Sequence, residues 1–246
     1  MIESTRNPRV VRATRLHRAR HRRQAGQTLL EGPNLIEAAL QAGVVPEIVF
    51  TLGDDPLVDA AAERGSAVAT VSGPVMKKLA GTDNPRGPVA VVAVPPPAEL
   101  VAVDTVVLCG ISDPGNAGTL IRSAAAFSFQ VVATVDTVDL WSPKVLRAAA
   151  GAHFVTGIVS DASVADVAAV GIVLVALLPA DDGRTEPGED DRPIGLLVGN
   201  EAHGLSREQT AAATASLTVP TSGAVESLNA AVAGSIAMFA IAQGRQ

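Results

Sequence analysis

Six short runs dominated by Val, Ile, Leu and Ala fill the second half of the chain, and they constrain the fold more than any other feature. They lie at residues 106–111, 130–134, 154–159, 172–178, 194–198 and 217–219. Helical patterns at 117–127, 144–150, 164–170, 206–212 and 227–242 alternate with them. A strand that is apolar along its whole length is buried on both faces, which calls for a parallel sheet between layers of helices. The first half alternates on a smaller scale. Strands are expected at 28–31, 47–51, 67–71 and 88–94, with helices at 34–41, 57–64 and 74–79. Between the halves stands Pro95-Pro96-Pro97. Three consecutive prolines cannot enter a helix interior or a central strand, and they stiffen the chain into a spacer. The expected organisation is therefore a basic N-terminal helix or arm (1–24), a small α/β domain (25–94), a linker (95–102) and a larger parallel α/β domain (103–246).

Hydrophobic residues make up 48% of the chain and charged residues 18%, enough apolar surface for a buried core. No apolar run reaches membrane-spanning length, so no membrane partner is expected. The N-terminus lacks the apolar stretch and cleavage site of a secretory signal. Cys109 is the single cysteine, which excludes an internal disulfide and fits a reducing cytoplasm. With four histidines and no second His or Cys at ligand spacing, no metal is expected; His203 reads as a loop side chain or an RNA contact.

Net charge is −6, yet residues 1–23 carry eight arginines against Glu3 and so hold +7, leaving −13 for the rest. A basic extension on an acidic body is the asymmetry of a polyanion binder. Residues 7–24 read as one helix, with Pro8 in its first turn and Arg6, Arg9, Arg12, Arg15 and Arg18 forming a spiralling stripe that Arg22 and Arg23 continue. These seven are the candidate RNA contacts. Aromatics are only 2% of the chain, with no Tyr. Stacking several bases on aromatic platforms is thus unavailable, which leaves recognition by backbone and shape or capture of one extruded nucleotide.

Ligands of open α/β sheets bind beyond the carboxyl ends of the strands. Four such ends attract notice. Asn116, Gly118 and Arg122 follow the strand at 106–111; Gly199-Asn200-Glu201-Ala202-His203-Gly204 follows that at 194–198; Val219-Pro220-Thr221-Ser222-Gly223 runs into Glu226-Ser227-Leu228-Asn229; and Leu178-Pro179 closes the strand at 172–178. Bracketing glycines beyond a buried strand suggest a backbone that approaches a ligand closely. Each segment also has a plainer explanation: Ser227 and Asn229 are preferred helix caps, and Arg122 can be a surface side chain. No G-x-G-x-x-G, Walker A or G-x-S-x-G sequence is present, so dinucleotide, P-loop and α/β-hydrolase sites are not supported.

Taken together and in order, Asn116-x-Gly118-x-x-x-Arg122, Gly199-Asn200-Glu201-x-x-Gly204 and Pro220-x-x-Gly223-x-x-Glu226-Ser227-Leu228-Asn229 closely resemble the three motifs of the SpoU (TrmH-like) family of SPOUT RNA 2′-O-ribose methyltransferases. Residues 29–40 and 79–87 are similar to the opening and closing segments of that family's RNA-substrate-binding domain. The resemblance implies a C-terminal SPOUT-type domain with a trefoil knot, S-adenosylmethionine as cofactor, and a homodimer in which catalytic residues of one subunit face the cofactor of the other. By position it assigns Leu178, Gly199, Val219 and Leu228 to the cofactor, and Asn116, Arg122, Glu201, Ser227 and Asn229 to the catalytic shell. Val219 stands where the family more often has Ile.

The implied reaction needs a ribose hydroxyl, scarcely ionised at neutral pH, to be oriented and its developing charge stabilised. A guanidinium is not deprotonated in proteins, so Arg122 is expected to act through charge and position, with Glu201, through water or Ser227, as the candidate proton acceptor. The implied substrate is ribosomal RNA in preference to transfer RNA. A protein that kept the fold and the RNA but lost the reaction is the alternative, and a base-methylating SPOUT enzyme is a further one.

Overall fold

The computed structural model describes residues 1–82, 84–85, 87–179, 191–225 and 227–245. Its contacts divide the chain into two compact units, Met1–Pro96 with Trp141–Phe154, and Pro97–Leu140 with Val155–Gln246. The triple proline thus marks the change of unit, but the stretch 141–154, expected within the second domain, packs in the first.

The first unit begins with α1 (Pro8–Arg15) and α2 (Ala19–Ala25), followed by β1 (Gln27–Glu31), α3 (Pro33–Gln41), β2 (Ile48–Thr51), α4 (Pro56–Glu63), β3 (Ala67–Thr70), α5 (Gly73–Ala80) and β4 (Val89–Ala93). Its sheet runs β1-β4-β2-β3; β4 is antiparallel to both neighbours, and β2 and β3 are parallel. Strand alternation sorts the core into two layers. Leu29, Phe50, Val89 and Val91 pack with Val10, Ala13 and Leu16 and with Val75, Met76 and Leu79 of α5. Leu30, Val49, Ala90 and Val92 face Leu35, Ile36, Ala39 and Leu40 of α3, Val58 and Ala61 of α4, and Leu146.

The basic segment differs from the single helix expected. Asn7 caps α1 by accepting from the Arg9 N–H (3.0 Å), but the helix stops at Arg15 and a second starts at Ala19. The break has a cation inside it. Arg22 is buried, and its Nη1 donates to the carbonyls of Leu16 (2.8 Å) and His17 (3.0 Å), which the end of α1 leaves without helical partners. Residues 1–24 are therefore not a free arm: Val10, Ala13 and Leu16 belong to the core. Arg22 is withdrawn from the RNA contacts because its guanidinium is committed to the fold. Arg6, Arg9, Arg12, Arg15, Arg18 and Arg23 are exposed, with Arg12 paired to Glu47 (3.1 Å) and donating to Gln27 (3.2 Å).

The second unit opens with β5 (Thr105–Cys109), α6 (Pro114–Phe127) and β6 (Gln130–Ala133). The chain then supplies α7 (Pro143–Ala149) and a 3-10 turn (Ala152–Phe154) to the first unit, where Leu146 enters the core and Arg147 pairs with Glu31. It returns as β7 (Ile158–Ser160), α8 (Val164–Ala169), β8 (Val173–Leu177), β9 (Ile194–Gly199), α9 (Arg207–Ala212), β10 (Ala215–Leu217) and α10 (Ala230–Gly244). Most of the polar loop expected at 180–193 lies outside the described residues. The six strands are parallel throughout, in the order β10-β8-β9-β5-β6-β7. Val106, Val107, Leu108, Leu196 and Leu197 are fully buried, each contributing roughly 1.5–3 kcal/mol by its removal from water. Gly234 lets α10 pack closely on α6, since a Cβ there would stand 2.6 Å from Leu120 Cδ2.

Candidate active site

Sheet order places the site. Strands β10, β8, β9 and β5 are consecutive neighbours, and parallel pairing brings their carboxyl ends to one edge of the sheet. The segments beyond β8, β9 and β10 and the residues before α10 together enclose a cleft of about 260 Å³. Leu178, Gly199, Val219 and Leu228 all line it, with Leu177, Val198, Ala230 and Ala233 adding apolar wall and Glu201, Thr221 and Ser227 adding polar groups.

Gly199 has to be glycine for close approach: a Cβ would stand 2.3 Å from the Gly204 carbonyl carbon and 2.4 Å from the Leu205 nitrogen. The loop folds back on itself, with Asn200 N donating to Gly204 O (3.1 Å) and Gly204 N to Asn200 O (2.8 Å). The Asn200 side chain fastens that hairpin to the sheet. Its Nδ2 donates to Gly110 O (2.7 Å), while its Oδ1 accepts from the N–H groups of Ala202 (2.9 Å) and His203 (3.2 Å).

A chain of polar side chains runs along the rim. Asn229 caps α10, its Oδ1 accepting from Ala231 N and Val232 N, and its Nδ2 donates to Asn116 Oδ1 (2.9 Å). Asn116 Nδ2 then donates to Glu201 Oε1 (2.9 Å). Glu201 also accepts from Asp113 N (3.1 Å), Ser112 N (3.1 Å) and Ser112 Oγ (2.9 Å). Partial burial alone would raise its pKa. The bonds from Asn116 and from the backbone N–H groups of Glu201, Ser112 and Asp113 outweigh that and bring it down to about 2. A carboxylate so well satisfied holds loops in place and is poorly suited to taking up a proton, which argues against the acceptor role expected of it.

Three catalytic-shell residues are therefore joined directly: Asn116, Glu201 and Asn229. Ser227 lines the cleft without capping the helix. Arg122 is not among the lining residues. It lies exposed on α6, six residues beyond Asn116 and so about 240° further round the helix. Among the described residues it has no hydrogen bond or ion pair. Glu226 of the third motif lies outside the described residues. Asn200 stands in the second motif without an assigned role, and Ser112 carries no signal beyond its place after a strand. Cys109 is no nucleophile, because burial foremost, and then Asp136, push its thiol up to about 12.

A parallel six-stranded sheet with a cleft at one set of strand ends, and a carboxylate–amide chain on its rim, is the architecture of a ligand-binding α/β protein. The SpoU rRNA Methylase family matches residues 104–239, and the MRM3-like substrate binding domain matches residues 7–90. A tRNA/rRNA methyltransferase of Synechocystis of otherwise uncharacterised role is 34% identical, over 97% of this chain and 92% of its own length. The 23S rRNA (guanosine(2553)-2′-O)-methyltransferase of Bacillus subtilis is 30% identical over 97% of both chains. The crystal structure of an AdoMet-bound rRNA methyltransferase from Sinorhizobium meliloti superposes with a TM-score of 0.87 at 28% identity, covering 99% and 97% of the two chains. The chain belongs to the SpoU rRNA methylase family.

Proposed function

We propose that the protein transfers a methyl group from S-adenosylmethionine to a ribose 2′-hydroxyl of RNA, with ribosomal RNA as its substrate, and that it works as a homodimer. The observation that carries this reading is the convergence of Leu178, Gly199, Val219 and Leu228 on one cleft whose rim is fixed by the Asn229–Asn116–Glu201 chain. The lining suits the cofactor. Leu178, Val219 and Leu228 offer apolar walls to a purine, Gly199 lets the Gly204–Leu205 backbone fold tightly against the end of β9, and Glu201, ionised at neutral pH, complements a sulfonium cation. When bound, S-adenosylmethionine supplies an electrophilic methyl group. The protein's residues then have to orient the hydroxyl and stabilise the charge that develops on it. Arg122 supplies a fixed cation for that purpose, and the Asn116 and Asn229 amides hold the loops that shape the cleft.

The outward direction of Arg122 fits a site completed by a second subunit. α10 is apolar on both faces: Ala231, Gly234, Ala237, Met238 and Ile241 are buried, while Val232, Ile236 and Phe239 form an exposed stripe at helical spacing. The stripe adjoins α6, where Phe127 packs on Phe239 (5.8 Å between ring centroids) and Ser123 bonds Ser235 (2.7 Å). An exposed apolar stripe on α10 supports pairing of two copies through that helix, with the exposed Arg122 of each serving the other copy's cleft.

Calorimetry with S-adenosylmethionine, followed by transfer of labelled methyl to ribosomal RNA and mapping of the modified nucleotide, tests the reading. Uptake of the cofactor and a 2′-O-methyl mark are expected. Well-folded protein that takes up no cofactor, or a label carried on a base, would overturn it.

A further inference from the structure

The first unit contains a second cavity, of about 440 Å³, which the catalytic scheme does not use. It lies among the end of β1 (Glu31, Gly32), the segment after α5 (Thr82, Asn84, Gly87) and Arg147 of α7. Its size is that of a small-molecule site, roughly 300–1,000 Å³. Its polar groups are poorly served within the protein. The Glu31 side chain is only 6% exposed; Oε2 pairs with Arg147, but Oε1 is buried without a hydrogen-bond partner among the described residues. His17 does not satisfy it. Its Nδ1 stands 4.0 Å from Oε1, and its Nε2, 2.9 Å from Leu79 O, must carry the ring proton to donate to that carbonyl. In the neutral ring Nδ1 then has no proton to offer. Native proteins leave few buried acceptors unmet, and those few call for an explanation. Thr82 and Asn84, exposed at the mouth, bond no described residue.

We propose that this cavity takes up one unpaired guanine of the RNA, with N1–H and N2–H directed at Glu31 and O6 met by Arg147. The proposal rests on the RNA reading above and names a part of the substrate that the reading leaves open. A carboxylate beside a guanidinium selects a base edge with donors next to an acceptor. Guanine has two adjacent donors and then a carbonyl. Adenine and cytosine offer a single amine beside a ring nitrogen, and uracil flanks its one N–H with carbonyls that the carboxylate repels. Unpaired bases are the part of RNA that proteins read by edge contacts, and with so few aromatics a polar pocket for one extruded base replaces a stacking surface. The location agrees. His17, in the turn between the arginine-rich helices α1 and α2, lies against Glu31, so phosphates beside a captured base would meet exposed Arg18 and its neighbours.

The test is equilibrium binding of the full chain to a nine-nucleotide oligouridine and to the same RNA with one central guanosine. The guanosine RNA is expected to bind roughly tenfold more tightly, and Glu31→Gln is expected to abolish the difference. A 6-thioguanosine at that position should photocrosslink to peptides containing Glu31, Gly87 or Arg147. Equal affinity for the two RNAs, or a crosslink elsewhere, would overturn the proposal. Both comparisons use the unmodified protein, so they decide the matter even if Glu31→Gln fails to fold. Cofactor uptake and methyl transfer are measured separately: transfer without a guanosine preference sinks this inference alone, while lack of cofactor uptake sinks the functional reading alone.

Discussion

Replacing Glu201 by Gln changes one atom's chemistry at the most heavily bonded side chain of the site. With a pKa of about 2, the carboxyl is protonated in only about one molecule in 10⁵ at pH 7. Oε2 receives Ser112 N and Ser112 Oγ; Oε1 receives Asp113 N and Asn116 Nδ2. The hydroxyl and the amide can turn to suit a glutamine. The two backbone N–H groups cannot, so whichever oxygen becomes NH₂ faces a donor with nothing to accept it. Losing such charge-assisted bonds costs about 1.5–3 kcal/mol each where buried, and roughly half that in a site as open as this one. About 1.4 kcal/mol of looser positioning corresponds to a roughly tenfold fall in kcat/KM. Because the group is a positioner, the fall should be uniform between about pH 5 and 8.5. The depressed pKa also fixes where the interaction is lost. It is fully present above the ordinary carboxyl value near 4.5 and disappears as pH falls towards 2. Methyl transfer to an RNA fragment, followed across that range for both proteins, is the assay. A wild-type rate that drops tenfold per unit below about pH 6, with a flat profile in Glu201→Gln, would show that Glu201 takes the proton after all.

If Arg122 serves the partner subunit, Arg122→Ala and the loop-disrupting Gly199→Val, each inactive alone, should regain about a quarter of wild-type activity after subunit exchange, since half the dimers then hold one complete site. No recovery in a mixture shown to exchange would place Arg122 in its own subunit's site. Arg22→Ala should destabilise the protein by about 1–3 kcal/mol in denaturant unfolding through loss of its two carbonyl bonds, with the salt dependence of RNA binding unchanged. Replacing Arg6, Arg9, Arg15 and Arg18 together should do the reverse, reducing the log–log salt slope by roughly 3 at little cost in stability. An unaltered slope would remove these arginines from the phosphate contacts.

Much of this arrangement could be read from local pattern. The apolar runs located the second unit's strands, among the described residues, to within a few residues, because strands buried on both faces are dominated by apolar side chains, and the bracketing glycines pointed to the loop beyond β9. What escaped depends on distant parts of the chain. Nothing near Leu16 signals a helix break; the cause is Arg22 reaching back to two carbonyls. Ser227 and Asn229 are equally good caps by composition, and the choice falls to Asn229 because its free amide meets Asn116 across the sheet edge. Ser112 has no distinguishing neighbour until Glu201 arrives 89 residues later. The helix at Pro143–Ala149 was legible as a helix, but its periodicity could not say which core it would join.

That last segment bears on how the protein is made and how it can be taken apart. The first 96 residues lack Leu146 for their core, Arg147 for Glu31 and the Trp141 carbonyl that Thr28 bonds at 2.7 Å. During synthesis they must wait, incomplete, until residue 154 has emerged, a delay that favours association with chaperones over early folding. A gene fragment cut at the triple proline would encode a module with a missing wall. Chimeras between relatives should therefore exchange residues 141–154 together with the N-terminal segment, as a two-piece cassette.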